Sequence, residues 1–265
     1  MGQTNTDIEW EKWGRKDPYF AVLTDERFRA ANLSDETKDE FFDSGRQHAE
    51  HVLQVCRQYF DPSFVPRRIL DFGCGVGRLV VPFAVNAQQV VGVDISLSML
   101  EEARRNCRQR ALENVVFVES DDMLSQVQGE FDLVHTCIVL QHIDPRRGVQ
   151  IFSRMLTRLA PGGMGAVQIT YGWRNKFPGA SDVQNPAKPP HLLQKIAGRF
   201  RRRMRQVFEK PLPRKDPEMQ MNPYDLNAVL SLIQHAGADR LYTEFTDHSG
   251  ALGVFIFFQK RRLLG

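Results

Sequence analysis

Ile69-Leu70-Asp71-Phe72-Gly73-Cys74-Gly75-Val76-Gly77 reads as a β-strand that runs into a glycine turn and opens a helix. Glycine belongs in such a turn because the backbone must bend sharply and lie close to a ligand, with no Cβ in the way. A glycine loop alone says little, so its spacing decides. A dinucleotide fingerprint needs Gly-x-Gly-x-x-Gly, yet counting from Gly73 puts Arg78 in the third place, and counting from Gly75 puts Val80 there. No Gly-Lys-Ser/Thr follows, which excludes a P-loop. Twenty-one residues beyond Gly73, where the next strand ends, stands Asp94 in Val91-Gly92-Val93-Asp94-Ile95-Ser96. A carboxylate there can accept both ribose hydroxyls of a nucleoside lying across the strand ends.

Outward from this stretch, short β-rich runs alternate with amphipathic helices. Strands are predicted at residues 68–72, 90–95, 115–119, 131–136 and 164–170, with helices at about 76–85, 97–109 and 147–159. Near-continuous apolar strands separated by helices imply a parallel sheet covered on both faces. A helix over 224–236 and strands over 240–245 and 253–259 complete the sheet. The turn Asp247-His248-Ser249-Gly250 makes a hairpin of those two strands, so the last one should run antiparallel. The expected architecture is an α/β, Rossmann-like, doubly wound sheet of seven mostly parallel strands. Residues 1–64 read as an N-terminal helical cap, with one helix at about 44–59, and 65–171 as the core. Residues 172–221 read as an inserted lid, and 222–265 as the helix-strand-strand that completes the core.

The Asp-x-Gly-x-Gly-x-Gly loop, Asp94 and two later segments together resemble the class I S-adenosylmethionine (SAM)-dependent methyltransferases, in their small-molecule branch. Those segments are Phe131–Ile143 around the fourth strand and Leu159-Ala160-Pro161-Gly162-Gly163 before the fifth. The resemblance covers about residues 67–171 well and the C-terminal elements loosely. It implies SAM as cofactor, with Asp71, Gly73, Cys74 and Gly75 at its methionine end and Asp94 on its ribose. Ile95 and Met99 are expected to pack on the adenine. Asp122-Met123 is expected to bracket the adenine edge, with Asp121 a one-residue alternative. Cys137 should face the methionine part. Arg46 is a candidate for the methionine carboxylate and equally a solvated helix residue, while the reach of Arg78 is left open.

Methyl transfer from a sulfonium needs alignment, a dry site and, for a protonated nucleophile, a base. His142 is the first candidate for that base, since histidine titrates near working pH. Its competing reading is a packing or capping residue. His248 lies in the hairpin turn, near the cleft or far from it depending on topology. Gln141, Tyr171 and Tyr19 are candidate substrate contacts. His48 and His51 sit three apart on a helix, but no carboxylate or cysteine completes a metal site, so none is expected. The segment 137–144 lacks the Asn/Asp-Pro-Pro-Tyr/Phe of adenine N6 methyltransferases, and no Pro-Cys nucleophile appears. The acceptor is therefore expected to be a small molecule carrying a hydroxyl (a natural product, sugar or lipid-like compound). The reading from another class is a SAM- or dinucleotide-binding regulatory or scaffold protein without methyl transfer.

The 265 residues, 42% hydrophobic and 25% charged, suit one sizeable domain. No apolar run approaches the roughly 20 residues of a transmembrane helix, and the polar N-terminus lacks a secretory pattern. The four cysteines include no Cys-x-x-Cys pair, so a reducing cytoplasm fits best. The net charge of +3 hides a basic stretch at 186–215, where ten Lys/Arg face the single acid Glu209. Within it, residues 192–208 have the pattern of a basic amphipathic helix. Three uses are open: a lid with solvated charges, a dock for an anionic acceptor, carrier or membrane surface, or nucleic-acid binding, which no accompanying recognition fold supports.

Overall fold

The computed structural model describes residues 5–174 and 216–262. The predicted amphipathic helix at 192–208, and most of the segment read as a lid, lie outside the described residues. Three helices come first: α1 (Asn5–Lys16), α2 (Pro18–Val22) and α3 (Asp35–Tyr59). The alternating core follows with β1 (Arg68–Phe72), α4 (Val80–Asn86), β2 (Gln89–Asp94), α5 (Leu97–Gln109), β3 (Val115–Glu119), β4 (Phe131–Thr136), α6 (Pro145–Thr157) and β5 (Leu159–Trp173). It ends with α7 (Leu226–His235), β6 (Ala238–His248) and β7 (Ala251–Lys260).

The seven strands form one sheet in the order β3-β2-β1-β4-β5-β7-β6. All but β7 run parallel; β7 lies antiparallel between β5 and β6. The alternation of side chains along each strand feeds two cores. Ile69, Val90, Leu133 and Phe257 face the first, with α3, α4 and α5, while Leu70, Val91, Val134 and Phe258 face the second, with α6 and α7. The sheet is thus covered on both sides, as its near-continuous apolar strands require.

Two elements start well before their predicted bounds. Helix α3 starts at Asp35 rather than near Ser44, because Ser34 caps it reciprocally with Thr37: Ser34 Oγ accepts the Thr37 N–H and Thr37 Oγ1 accepts the Ser34 N–H. The charged run 35–40 that follows hides this start from a search for apolar periodicity. Strand β5 begins at Leu159, before the Pro161-Gly162-Gly163 read as a stop. Phe131 pairs with Leu159 and Leu133 with Met164, so 160–163 form an irregularity that the ladder spans. The β6–β7 hairpin closes on Ser249 and Gly250, both with positive φ (56° and 97°), the conformation of a tight turn whose twist matches its strands.

Candidate functional site

β1 lies between β2 and β4, so successive crossovers leave it in opposite directions and open a crevice at the strand ends. There the chain encloses a cavity of about 560 Å³, within the roughly 300–1,000 Å³ of ligand pockets.

The floor is the glycine loop. Gly73, Gly75 and Gly77 adopt φ of 75°, 53° and 86°, in the left-handed region. Gly73 and Cys74 donate their N–H groups to Val93 O (2.7 and 3.0 Å), tying the loop to β2. Asp94 closes the arrangement: Oδ2 accepts the Gly75 N–H at 2.8 Å and Oδ1 the Ser96 N–H at 2.9 Å. Burial pushes the Asp94 carboxyl up to about 6, against these stabilising N–H donors. A Cβ on Gly73 would drive into the Val139 side chain. Gly73→Ala therefore combines a left-handed alanine, about 1–2 kcal/mol, with overpacking of about 1–3 kcal/mol. We expect its melting temperature to fall by several degrees, with loss of ligand binding at the loop, both read by thermal shift.

The N-terminal helices supply one wall. Glu11 on α1 accepts the Ser96 and Ser98 hydroxyls at 2.7 Å each and the Ser98 N–H at 3.2 Å. A carboxylate at the N-terminus of α5 is favoured by the helix dipole, and this contact lays Trp10 and Asp7 over the cavity. Arg147, at the start of α6, joins Asp7 and Asp122 at 2.7 Å each.

The opposite wall is the segment after β4. Ile138 has φ 58°, a strained conformation for a β-branched residue. A directional chain of hydrogen bonds holds this segment. The Ile138 N–H reaches Gln168 Oε1 (3.3 Å), Gln168 Nε2 reaches Thr170 Oγ1 (3.4 Å), and the Thr170 hydroxyl donates to Gln141 Oε1 (2.6 Å). That spends the Gln141 oxygen and turns its amide nitrogen toward His142 Nε2 at 3.3 Å. His142 Nδ1 lies 2.7 Å from Gln220 O. A carbonyl only accepts, so Nδ1 carries the proton and Nε2 keeps its lone pair. Burial also depresses the His142 pKa below 6.5, and Trp10 packs edge-on at 4.9 Å. The ring stands neutral in a cavity wall.

Of the residues singled out in the sequence, Gly73, Gly75, Asp94, Ile95 and Met99 line the cavity from one side, and Cys137, Gln141 and His142 from the other. The rest, apart from His248, lie elsewhere. Arg46 is spent on Asp43 and Glu50 (2.7 and 2.8 Å) on the solvent face of α3, which corrects its candidacy as a carboxylate ligand. Tyr19 is buried with its hydroxyl on Glu102 and Asn106 (2.7 and 3.0 Å), so it is a core residue and not a substrate contact. Tyr171 packs on the second core outside the cavity wall. Cys74 is buried, its Sγ packed on Gly92. Asp122 reaches the cavity only through Arg147, Met123 is 52% exposed and outside the wall, and Asp121 caps its own turn through the Met123 and Ser125 N–H groups. Asp71 sits beneath the loop, buried, with Oδ1 on His135 and Oδ2 without a hydrogen-bond partner.

Trp10, Arg147, Met219 and Met221 are lining residues that sequence reasoning missed, and His248 also reaches the wall. Nothing local marks the first four. The polar pair Gln168 and Thr170 in an otherwise apolar central strand was a readable signal, since buried polar groups need partners. Among the described residues no group of three or more His, Cys, Asp or Glu could hold a metal, and no helix is long and apolar enough to cross a membrane.

A glycine loop tied to a strand-end carboxylate at the switch point of a doubly wound sheet defines a Rossmann-like nucleotide-cofactor domain. Residues 69–163 match the family model described as a methyltransferase domain. The chain is 30% identical over 179 residues to norajmaline N-methyltransferase of Rauvolfia serpentina, covering 62% of this chain and 60% of that protein. It is 29% identical over 168 residues to the 23S rRNA (uracil(1939)-C(5))-methyltransferase RlmD of Marinomonas sp., covering 57% and 37%. The chain thus spans less than two thirds of these curated relatives. Its fold is shared with magnesium protoporphyrin IX methyltransferase (ChlM) of Synechocystis PCC 6803, solved with bound SAH, at TM-score 0.60 and 18% identity over 96% of this chain and 97% of that one. Over residues 69–163 this chain thus matches a methyltransferase domain, and it shares the fold of a methyltransferase solved with bound SAH.

Proposed function

We propose that the whole chain transfers the methyl group of SAM to a hydroxyl on a small, largely apolar acceptor, with His142 as the base. The residues fit the cofactor. Asp94 supplies acceptors for the ribose hydroxyls, and the Cβ-free Gly73 and Gly75 allow close approach of the methionine end. The unpartnered Asp71 Oδ2, buried beneath the loop rather than in the cavity wall, would accept its ammonium where the methionine end enters below Gly73. SAM supplies a methyl group already activated on sulfonium, so the protein's share is alignment, dryness and proton removal.

The observation that carries the acceptor reading is the fixed His142 tautomer, with its lone pair on Nε2. As the acceptor oxygen forms its bond to the methyl carbon, the carbon–sulfonium bond would break with its electron pair left on sulfur, and the hydroxyl proton would pass to that nitrogen in place of the 3.3 Å contact from the Gln141 amide. The Gln220 carbonyl then bonds the Nδ1–H of the resulting imidazolium. Trp10, Ile143, Met219 and Met221 make this end of the cavity apolar, and methionine adapts to irregular ligand shapes. Its arginine, Arg147, is matched by two carboxylates, which suits an uncharged acceptor better than an anionic one.

Incubation with methyl-labelled SAM and separate pools of phenols, alcohols and amines tests this reading. Label is expected in a hydroxyl-bearing acceptor. Label confined to amines would overturn O-methylation, and SAM binding with no transfer to any pool would favour the non-catalytic alternative.

A further inference from the structure

Beneath the glycine loop, on the face covered by α3, two buried side chains and one partly buried form a chain that methyl transfer itself does not use. Asp71 on β1 lies in register with His135 on β4, and His135 Nδ1 is 2.8 Å from Asp71 Oδ1. His135 Nε2 is 3.0 Å from Nε2 of His48 on α3. Asp71 is 2% exposed and His135 0%. The rings of Phe83 and Phe255 pack around His135, at 5.2 and 6.1 Å.

Proton placement follows from what each atom can do. A carboxylate only accepts, so His135 Nδ1 carries hydrogen. Two lone pairs cannot face each other at 3.0 Å, so one of the facing Nε2 atoms is also protonated. Burial, with the neighbouring His135, Arg78 and His51, pushes the His48 pKa down to about 2, so His48 is neutral. Where His48 Nε2–H donates to His135 Nε2, every hydrogen in the chain points toward Asp71. Its second oxygen, Oδ2, is buried and unpartnered. A lone buried anionic oxygen is costly unless a ligand satisfies it.

We propose that His135 and His48 are positioning residues for the cofactor: they hold the Asp71 carboxylate from behind, with Oδ2 free for the methionine ammonium of SAM. The inference rests on the SAM reading above and adds that helix α3, which touches no part of the cavity, contributes to SAM affinity through His48. It also gives a physical reason for a histidine in the middle of a central, apolar strand.

The test is calorimetric titration with SAM of the wild type, His48→Leu, His48→Gln and the same His48 changes combined with Asp71→Asn. Leucine removes the donor to His135, while the glutamine amide can replace it. His48→Leu is expected to weaken SAM binding about tenfold and His48→Gln no more than about twofold. In the Asp71→Asn background the leucine effect should vanish, because its route is gone. A purely structural role would leave the loss unchanged in that background. Equal affinities of His48→Leu and wild type, or equal losses for leucine and glutamine, would overturn the proposal. As a check free of substitutions, SAM should shift the ring ¹⁵N signals of His135 in the intact protein but not those of the exposed His235; unmoved His135 signals would also overturn it. Failure of the wild type to bind SAM would instead remove the cofactor reading itself.

Discussion

Alanine at Asp94 is expected to weaken SAM binding at least on the order of 100-fold. The carboxylate ends β2 beside the glycine loop, where it lines the cavity and accepts two backbone N–H groups, from Gly75 and Ser96. Two charge-assisted hydrogen bonds to ribose hydroxyls, at about 1.5–3 kcal/mol each, amount to two decades of affinity or more, since about 1.4 kcal/mol is tenfold. The same substitution unties the Gly75 N–H, so the loop loses its anchor together with its ligand contact. A pH dependence follows. Burial raises the Asp94 carboxyl to about 6, so its anionic form is lost at a higher pH than that of an exposed aspartate. SAM affinity should therefore decline as pH falls through about 6, measured by titration calorimetry across pH 5–8. A flat profile together with an unchanged Asp94→Ala affinity would contradict the ribose assignment.

Replacement of His142 by glutamine should slow methyl transfer about 10²–10⁴-fold, the usual share of a general base, while SAM affinity changes little. Glutamine preserves most of the volume beside Trp10 and can still donate to Gln220 O, so the wall should survive. Burial holds the His142 pKa below 6.5, so the base form prevails at neutral pH. At saturating SAM, which removes the Asp94 contribution, wild-type turnover should fall on the acid side as pH drops through that depressed value. The glutamine variant should lack this limb. A variant with wild-type turnover and an unaltered acid limb would make His142 a packing residue.

Much of the fold was legible because its signals are local. β1, β3 and β4 match their predicted bounds, and so does α5: apolar runs of strand length are punctuated by glycine or charge, and Ser96 marks the helix start. Where reading by apolar periodicity fell short, another force governed the chain. Capping outweighed the missing apolar stripe at the start of α3, and the sheet ladder carried β5 across 160–163. The glycine-loop side of the cavity was readable for the same reason. Gly73, Gly75 and Asp94 owe their places to the loop and strand in which they stand.

The opposite side of the cavity was not. Arg46 and Tyr19 were assigned toward ligands, but their positions depend on how α2 and α3 dock, and docking turns Arg46 to solvent and Tyr19 into the core. Trp10 reaches the cavity because Glu11 grips the start of α5, a contact between residues 85 and 87 positions apart. Met219 and Met221 arrive on a segment laced to the stretch after β4 and to β5 by Asn222 N–H on Gln141 O and Tyr224 N–H on Thr170 O (2.7 and 2.8 Å). No local pattern encodes such contacts. His135 is different: a histidine inside an apolar central strand is a readable signal, because a buried polar group needs a partner, yet the sequence reading passed over it.

The central claim is that the switch-point cavity holds SAM across the glycine loop and Asp94. Titration of the purified chain with SAM, with NAD as the competing nucleotide and Asp94→Ala as control, tests it most directly. The account predicts one SAM bound per chain, no heat from NAD, and loss of the SAM signal in Asp94→Ala. Binding of NAD in place of SAM, or SAM binding that Asp94→Ala leaves intact, would contradict it.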